Sequence, residues 1–242
     1  FWVNESTLSL GILSLFWLHL GYGMNMHIRL PDSIDQKVPE PQIIRQLIEN
    51  ALRAVEPGAA VRRAMALNDS VLLIGGRAYD LSKYPRVFLI GIGKASLPMA
   101  NAAAVILGKY LTGGVVITKS LAGRKQFEAL QGVELVRGNH PVPGKLSLEA
   151  SRRVLAMISK RNREDLFVCL ISGGASALLS YPVEGVSLSD IQLTTQLLLT
   201  SGADIEELNA VRKHLDRVKG GGLCRFLSPS TVVTLVLSDV VG

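Results

Sequence analysis

Three short stretches combine glycine with hydroxyl or cationic side chains in the pattern that anion handling requires. The first is Gly91-Ile92-Gly93-Lys94-Ala95-Ser96, which closes an apolar run. Glycines such as Gly91 and Gly93 at a strand-to-helix turn let the backbone approach a phosphate, and the helix that follows offers free N–H groups. Lys94 adds a full charge at the same place, beside the Ser96 hydroxyl. The stretch is neither a Walker A loop nor the GxGxxG fingerprint, and a tight turn carrying an exposed lysine is its plainer reading. The second stretch is Ser172-Gly173-Gly174-Ala175-Ser176, whose glycines and flanking hydroxyls suit a phosphate cradle of backbone donors. A serine nucleophile is the rival, but the G-x-S-x-G elbow is not matched. Neither His140 nor His214 is placed by sequence beside a serine, so a hydrolytic triad has no support.

The third stretch runs from Asn209 to Gly222. On a helix, Asn209, Arg212, Lys213 and Asp216 fall along one side, while Val211, Leu215 and Val218 form another. Lys219 then sits at the helix end, before Gly220, Gly221 and Gly222. A solvated charged face closed by glycine accounts for such a pattern, although three glycines beside a lysine exceed what a cap needs.

Strands and helices must place these stretches. Apolar residues recur at helical spacing from Ile43 to Val55, and Pro57-Gly58 ends that segment. Val71–Ile74, Gly75-Gly76 and Ala78–Leu81 read as a hairpin. Continuous apolar runs at 86–92, 114–118, 133–136, 166–171 and 231–237 read as buried strands. Helical patterns separate them: Ala95–Leu107, a helix capped by Ser147 and running to about Lys160, Leu188–Thr200 and Ile205–Val218. Strand, helix and strand in alternation call for a doubly wound α/β fold, with a mainly parallel sheet and helices on both faces. Ligands in such sheets bind beyond the carboxyl ends of the strands, where the first two glycine stretches fall.

Composition agrees with this class. Of the 242 residues 48% are hydrophobic but only 5% aromatic, which suits a sheet covered on both faces by small branched side chains. The formal net charge of +6 fits either nucleic acid or a small anion. No RRM, KH, zinc-finger or basic-zipper signature accompanies the charge, and the aromatics for base stacking are missing, so a small anion is expected and nucleic acid is not. Cys169 and Cys224 have no metal-like spacing and suggest no disulfide framework, which makes a reducing, cytoplasmic setting the expectation.

Both ends read as outside the regular domain. Leu8–Tyr22 is an apolar run of about 15 residues, short for a span of about 20 and without a preceding positive charge, so a membrane or secretory anchor is the rival and not the preferred reading. Residues 1–40 are therefore expected to be a leader or upstream translation, with Met24 or Met26 as the start and no stable membrane association. Residues 41–242 are expected to form one α/β domain, truncated where the chain stops just after a strand.

The ordered motifs GIGKAS, GGVVITK, GNHPVPG, LISGGASALL, LNAVRKHLDRVKGGGL and VVTLVLSDVVG resemble the N-terminal domain of class II glycerate kinases, also called glycerate 2-kinases, over about residues 41–242. The resemblance implies a Rossmann-like domain, a second smaller domain that follows it, and an active site in the cleft between the two. It implies ATP and Mg²⁺ as partners in the phosphorylation of D-glycerate to 2-phosphoglycerate, with this chain as the N-terminal part of the enzyme and a homodimer left open. Lys94, Lys219 and Arg212 match residues expected to be catalytic. Ser172, Gly173, Gly174 and Ser176 match the family's glycine-serine loop and, with Gly91, Gly93, Ser96, Gly220 and Gly221, are the expected phosphate or nucleotide contacts. Asn209 and Lys213 match the family's basic helix and, with His140, are the expected substrate contacts; Asp239, at the last strand end, is the expected metal ligand because hard cations prefer carboxylate oxygen. Gly144 departs from the family pattern, which has an acidic or amide residue there. A hydroxypyruvate reductase and a non-catalytic nucleotide or sugar-phosphate binding module are the two rival readings.

Overall fold

The five continuous apolar runs become the parallel sheet that the sequence predicts. The computed structural model describes residues 40–122 and 124–238. The apolar run 8–22, both candidate start methionines, the polar stretch before residue 40 and Asp239 lie outside the described residues. The chain divides into two units, Phe1–Glu56 with Gly123–Gln126, and Pro57–Ala122 with Phe127–Gly242. The first unit contributes helix α1 (Pro41–Ala54), opened by a proline in its first turn and carrying Arg53 in its last.

The second unit begins with α2 (Pro57–Ala64) and a three-stranded antiparallel sheet, β1 (Met65–Asn68), β2 (Val71–Ile74) and β3 (Arg77–Asp80). The β2–β3 hairpin closes around Gly75-Gly76, with Ile74 paired to Arg77. Helix α2 and strand β1 depart from the sequence expectation. Pro57-Gly58 opens a helix instead of merely ending one, because the fixed φ and missing N–H of proline suit a first helical position.

Strands β4 (Val87–Ile92), β5 (Leu111–Thr118), β6 (Val133–Arg137), β7 (Leu166–Ser172) and β8 (Thr231–Leu237) form a wholly parallel sheet in the order β6-β5-β4-β7-β8. From β4 the chain winds outward through β5 and β6, then returns to the other side of β4 with β7. That reversal between β4 and β7 is the topological switch point, where an open α/β sheet leaves a crevice. Ile92 pairs with Ile171 there, so the two glycine stretches leave the sheet side by side.

Helices cover both faces. Helix α3 (Ser96–Leu107) packs along β4 and β5, and α4 (Lys145–Ser159) lies over β5 and β6. Alternation of side chains along the strands sends Ile90, Ile92, Val115, Ile117, Phe167 and Cys169 into one buried cluster with Ala150, Val154 and Ile158 of α4. Cys169 behaves as the expected core hydrophobe, and burial pushes its thiol pKa up to about 12. The remaining helices are α5 (Ala175–Leu178), α6 (Leu188–Thr200), α7 (Ile205–His214) and α8 (Gly222–Leu227). Among the described residues no helix is long and apolar enough to cross a membrane.

Two helix limits differ from the sequence expectation. Ser147 sits inside the first turn of α4, fully buried, and Gly144 occupies the N-cap without a side chain to offer. The Asn139 carboxamide supplies the missing acceptor, taking the Leu146 N–H at 2.9 Å. It fills the space at Gly144, where a Cβ would stand 2.4 Å from Asn139 Oδ1. Helix α7 ends at His214, not at Val218, so Asp216 does not share a helical face with Asn209, Arg212 and Lys213.

Candidate functional site

The loop after β4 is closed on itself. The Gly93 N–H donates to the Ile117 carbonyl (3.2 Å), Lys94 N–H to the Gly173 carbonyl (2.9 Å), and Ser96 N–H to the Gly93 carbonyl (3.3 Å). Ala95 N–H donates to Ser172 Oγ at 3.1 Å. Gly93 adopts φ +140°, and a Cβ there would lie 2.0 Å from Ser172 Oγ and 2.6 Å from its carbonyl oxygen. Glycine is therefore required to let β4 and β7 meet. Ser96 is fully buried, its hydroxyl 2.8 Å from both the Gly93 and the Ile117 carbonyls. Gly91 lies within β4 against the Val116 side chain.

These contacts correct the sequence reading of this loop. Its amides and the Ser96 hydroxyl are spent on the protein, Ser172 Oγ accepts from the Ala95 N–H, and Gly91 serves strand packing. Lys94 alone faces outward, exposed and in no ion pair with another described residue.

The turn after β7 is the opposite. The amides of Gly173, Gly174, Ala175 and Ser176 donate to no group among the described residues, whereas Ala177 and Leu178 N–H both return to the Gly174 carbonyl. Gly174 is left-handed at φ +86°, which bends these successive N–H groups into a concavity suited to an anion. The Ser176 hydroxyl is exposed beside them.

Two side chains flank the turn. A Cβ on Gly174 would stand 2.9 Å from His140 Cδ2 and 3.2 Å from Lys94 Cγ. Lys94 and His140, expected in different roles, are thus brought to the same glycine. Burial holds the His140 pKa below the usual histidine value, and the charges of Lys94 and Lys119 lower it further, so the ring is neutral at pH 7.

Asp216 organises the far side of the site. Its buried carboxylate accepts from Ser180 Oγ (2.7 Å), Val218 N–H (3.0 Å) and Tyr181 N–H (3.2 Å), and from the Lys219 ammonium. Lys219 Nζ also donates to the Leu179 carbonyl at 3.1 Å. Burial lowers the Lys219 pKa, and its pairing with Asp216 opposes that shift. The sequence reading placed Asp216 on a solvated face and missed this role. No local signal announces it: α7 stops at His214, with Leu215 as its C-cap, well before the glycine run begins at Gly220.

Arg212 is half-buried, and its Nε and Nη2 donate to nothing among the described residues. These two nitrogens form one edge of the guanidinium fork, the edge that grips a carboxylate in two-pronged fashion. Burial lowers the Arg212 pKa, against a raising influence from Asp216.

A cavity of about 240 Å³ reaches from Ala175 and Ser176 to Lys219 and Gly221, with walls that are otherwise mainly apolar; Lys94, His140 and Arg212 do not line it. Lys213 is exposed, with its side chain packed near Gly220. Asn209 is exposed on α7 and is joined to the Lys94 corner by no hydrogen bond. Asp239 lies outside the described residues, and among those residues no group of three or more His, Cys, Asp or Glu side chains is placed to hold a metal ion.

A model for the family described as a domain of unknown function (DUF4147) matches residues 43–242. The D-glycerate 2-kinase of Thermotoga maritima is 40% identical over 198 residues, which are 81% of this chain and 43% of that protein. A putative hydroxypyruvate reductase of Agrobacterium vitis is 35% identical over 207 residues, 83% of this chain and 42% of its own length. The crystal structure of a protein from Pyrococcus horikoshii superposes with a TM-score of 0.72 at 35% identity, over 84% of this chain and 45% of that one. The chain thus spans less than half the length of the relatives it matches.

Proposed function

The chain belongs to the DUF4147 family, and on that premise we propose that it carries part of an enzyme transferring the γ-phosphoryl group of ATP to D-glycerate, giving 2-phosphoglycerate. The observation that carries the reading is the convergence of Lys94, neutral His140 and four uncommitted amides at the switch point of the sheet.

Phosphoryl transfer asks a protein for positioning and charge neutralisation more than for covalent chemistry. The glycerate hydroxyl oxygen bonds to the γ-phosphorus as the bond to the bridging oxygen of ADP breaks. The amides of residues 173–176 and the Ser176 hydroxyl hold the equatorial oxygens, and Lys94 offsets their charge. Lys219, fixed by Asp216, supplies a second cation at the wall of the adjoining cavity. The free edge of Arg212 suits the glycerate carboxylate.

Mg²⁺ bound with the nucleotide would neutralise charge between the outer phosphates. Such an ion needs only one or two carboxylates from protein, and Asp239 is our proposed contact. A cytoplasmic setting and a homodimer belong to the same proposal.

The test is ADP release from Mg-ATP in the presence of D-glycerate, measured on the gene product extended past Gly242. Glycerate-dependent release that falls at least about 100-fold in Lys94→Ala is the expected result. Turnover within a few-fold of wild type in that variant would remove Lys94 from its role. The name of the Agrobacterium relative motivates a second arm with hydroxypyruvate and NAD(P)H. Oxidation of the nicotinamide without ADP release would replace the kinase reading by the reductase one, and nucleotide binding without either reaction would leave a binding module.

A further inference from the structure

A second and larger concavity, of about 670 Å³, opens between α7 and α8. Its lining includes Lys213, His214, Arg217, Lys219 and Arg225, with Asp216 as the one acid. Asp216 is already neutralised by Lys219, which leaves Lys213, Arg217 and Arg225 as uncompensated charges around one space. None of the three is paired with a carboxylate among the described residues. Like charges gathered around a concavity repel one another and concentrate anions there.

Arg217 gives the cluster a fixed geometry. Its guanidinium carbon lies 5.5 Å from the Tyr181 ring centroid and 5.4 Å from that of Phe226. Stacking between two rings holds the planar fork in place while leaving its N–H groups free to donate. The His214 Nδ1 is engaged by the Ala210 carbonyl at 2.6 Å, which orients the ring at the rim. The volume lies in the range of small-molecule sites and far exceeds what a three-carbon acid fills.

We propose that the α7–α8 concavity is a polyphosphate site, which takes the diphosphate of a nucleotide through Arg217, Arg225 and Lys213. Only the identification of the ligand as a nucleotide rests on the phosphoryl-transfer reading. Tyr181 and Phe226 already face Arg217, and the one other ring at the concavity is the imidazole of His214, so no large aromatic platform is set aside for a base. Recognition then runs through phosphate charge, and ADP, GDP and inorganic pyrophosphate compete for the same place.

The experiment is titration of the present chain with a fluorescent ADP analogue, followed by displacement with ADP, GDP and pyrophosphate. Displacement by all three is expected, with ADP and GDP within about threefold of each other. Arg217→Ala and Arg225→Glu should each weaken ADP binding at least tenfold, and Arg225 is an exposed helix residue whose replacement leaves the core untouched. ADP affinity within twofold of wild type in both variants overturns the proposal, as does displacement by ADP but not by pyrophosphate. Loss of binding in the variants without glycerate-dependent turnover in the extended gene product would sink the kinase reading and leave this site standing. Turnover whose KM for ATP is unmoved by Arg225→Glu would do the reverse.

Discussion

The loops that follow β4 and β7 are both glycine-rich, both carry serine, and both leave the sheet at its switch point, yet they do opposite work. In residues 93–96 every amide has a protein acceptor, and the two nearest hydroxyls are buried in the same network. In residues 173–176 no amide has one among the described residues. The first loop is therefore a clamp that fixes β4 against β7, and the second is an open turn braced by that clamp, the receptor of the proposed function. A glycine in the clamp is needed because backbone from another strand fills its Cβ position. A glycine in the receptor is needed because the chain must bend its N–H groups toward one point.

Substitution of the two glycines breaks the comparison most directly. A methyl group at Gly93 meets Ser172 backbone at 2.6 Å, which cannot yield without separating two paired strands. Gly93→Ala should cost about 3–5 kcal/mol from overpacking and strain together, enough to lose the fold in many domains. At Gly174 the nearest atoms belong to the His140 and Lys94 side chains, which can turn aside. Gly174→Ala should cost only about 1–2 kcal/mol, from its left-handed φ. Urea unfolding of both variants measures the difference, and equal losses would erase the distinction between clamp and receptor.

The Asp216–Lys219 pair extends the clamp to the far side. Asp216→Asn keeps the shape but leaves the Lys219 ammonium buried without its counter-charge, at a cost of about 3–5 kcal/mol. Adding Lys219→Met should recover much of that loss, since the double variant no longer buries an unpaired charge. A double variant as unstable as the single one would mean that Asp216 acts mainly through Ser180, Tyr181 and Val218. Arg212 belongs with the receptor. Its two orphan nitrogens cost the fold more than they return, so Arg212→Met should stay within about 1 kcal/mol of wild type. A loss above about 2 kcal/mol would show that the guanidinium is structural.

Much of the sheet was legible in the sequence because each buried parallel strand is a continuous apolar run bounded by turn residues. The positions of the two loops were legible as well, since glycine closes two of the apolar runs at their carboxyl ends. Which loop is open was not. The groups that close residues 93–96 are the Ile117 carbonyl on β5, the Gly173 carbonyl and the Ser172 hydroxyl, and no local pattern in GIGKAS announces them. Asp216 escaped for the related reason that its partners come from residues 180–181 as well as from its own turn. Helix α7 ends two residues before it, so a face drawn by helical spacing put it in solvent. Asn139 escaped in the same way, because it caps a helix that starts six residues later.

The smallest expected effect reports on the receptor without disturbing it. His140 lies against Gly174, and its pKa is lowered by burial first and then by Lys94 and Lys119. A histidine whose folded pKa lies below its unfolded one takes up a proton more readily in the unfolded chain. Its stabilising contribution is complete above the unfolded value of about 6.5 and is lost as pH falls through the folded pKa. Between pH 7.5 and 5.5 the Tm of the wild type should therefore fall further than that of His140→Gln, in otherwise matched buffers. Phosphate seated on the amides of 173–176 would place negative charge beside the ring, raise its folded pKa and shrink that difference. A difference that is unchanged by phosphate would mean that the open turn does not hold an anion next to His140.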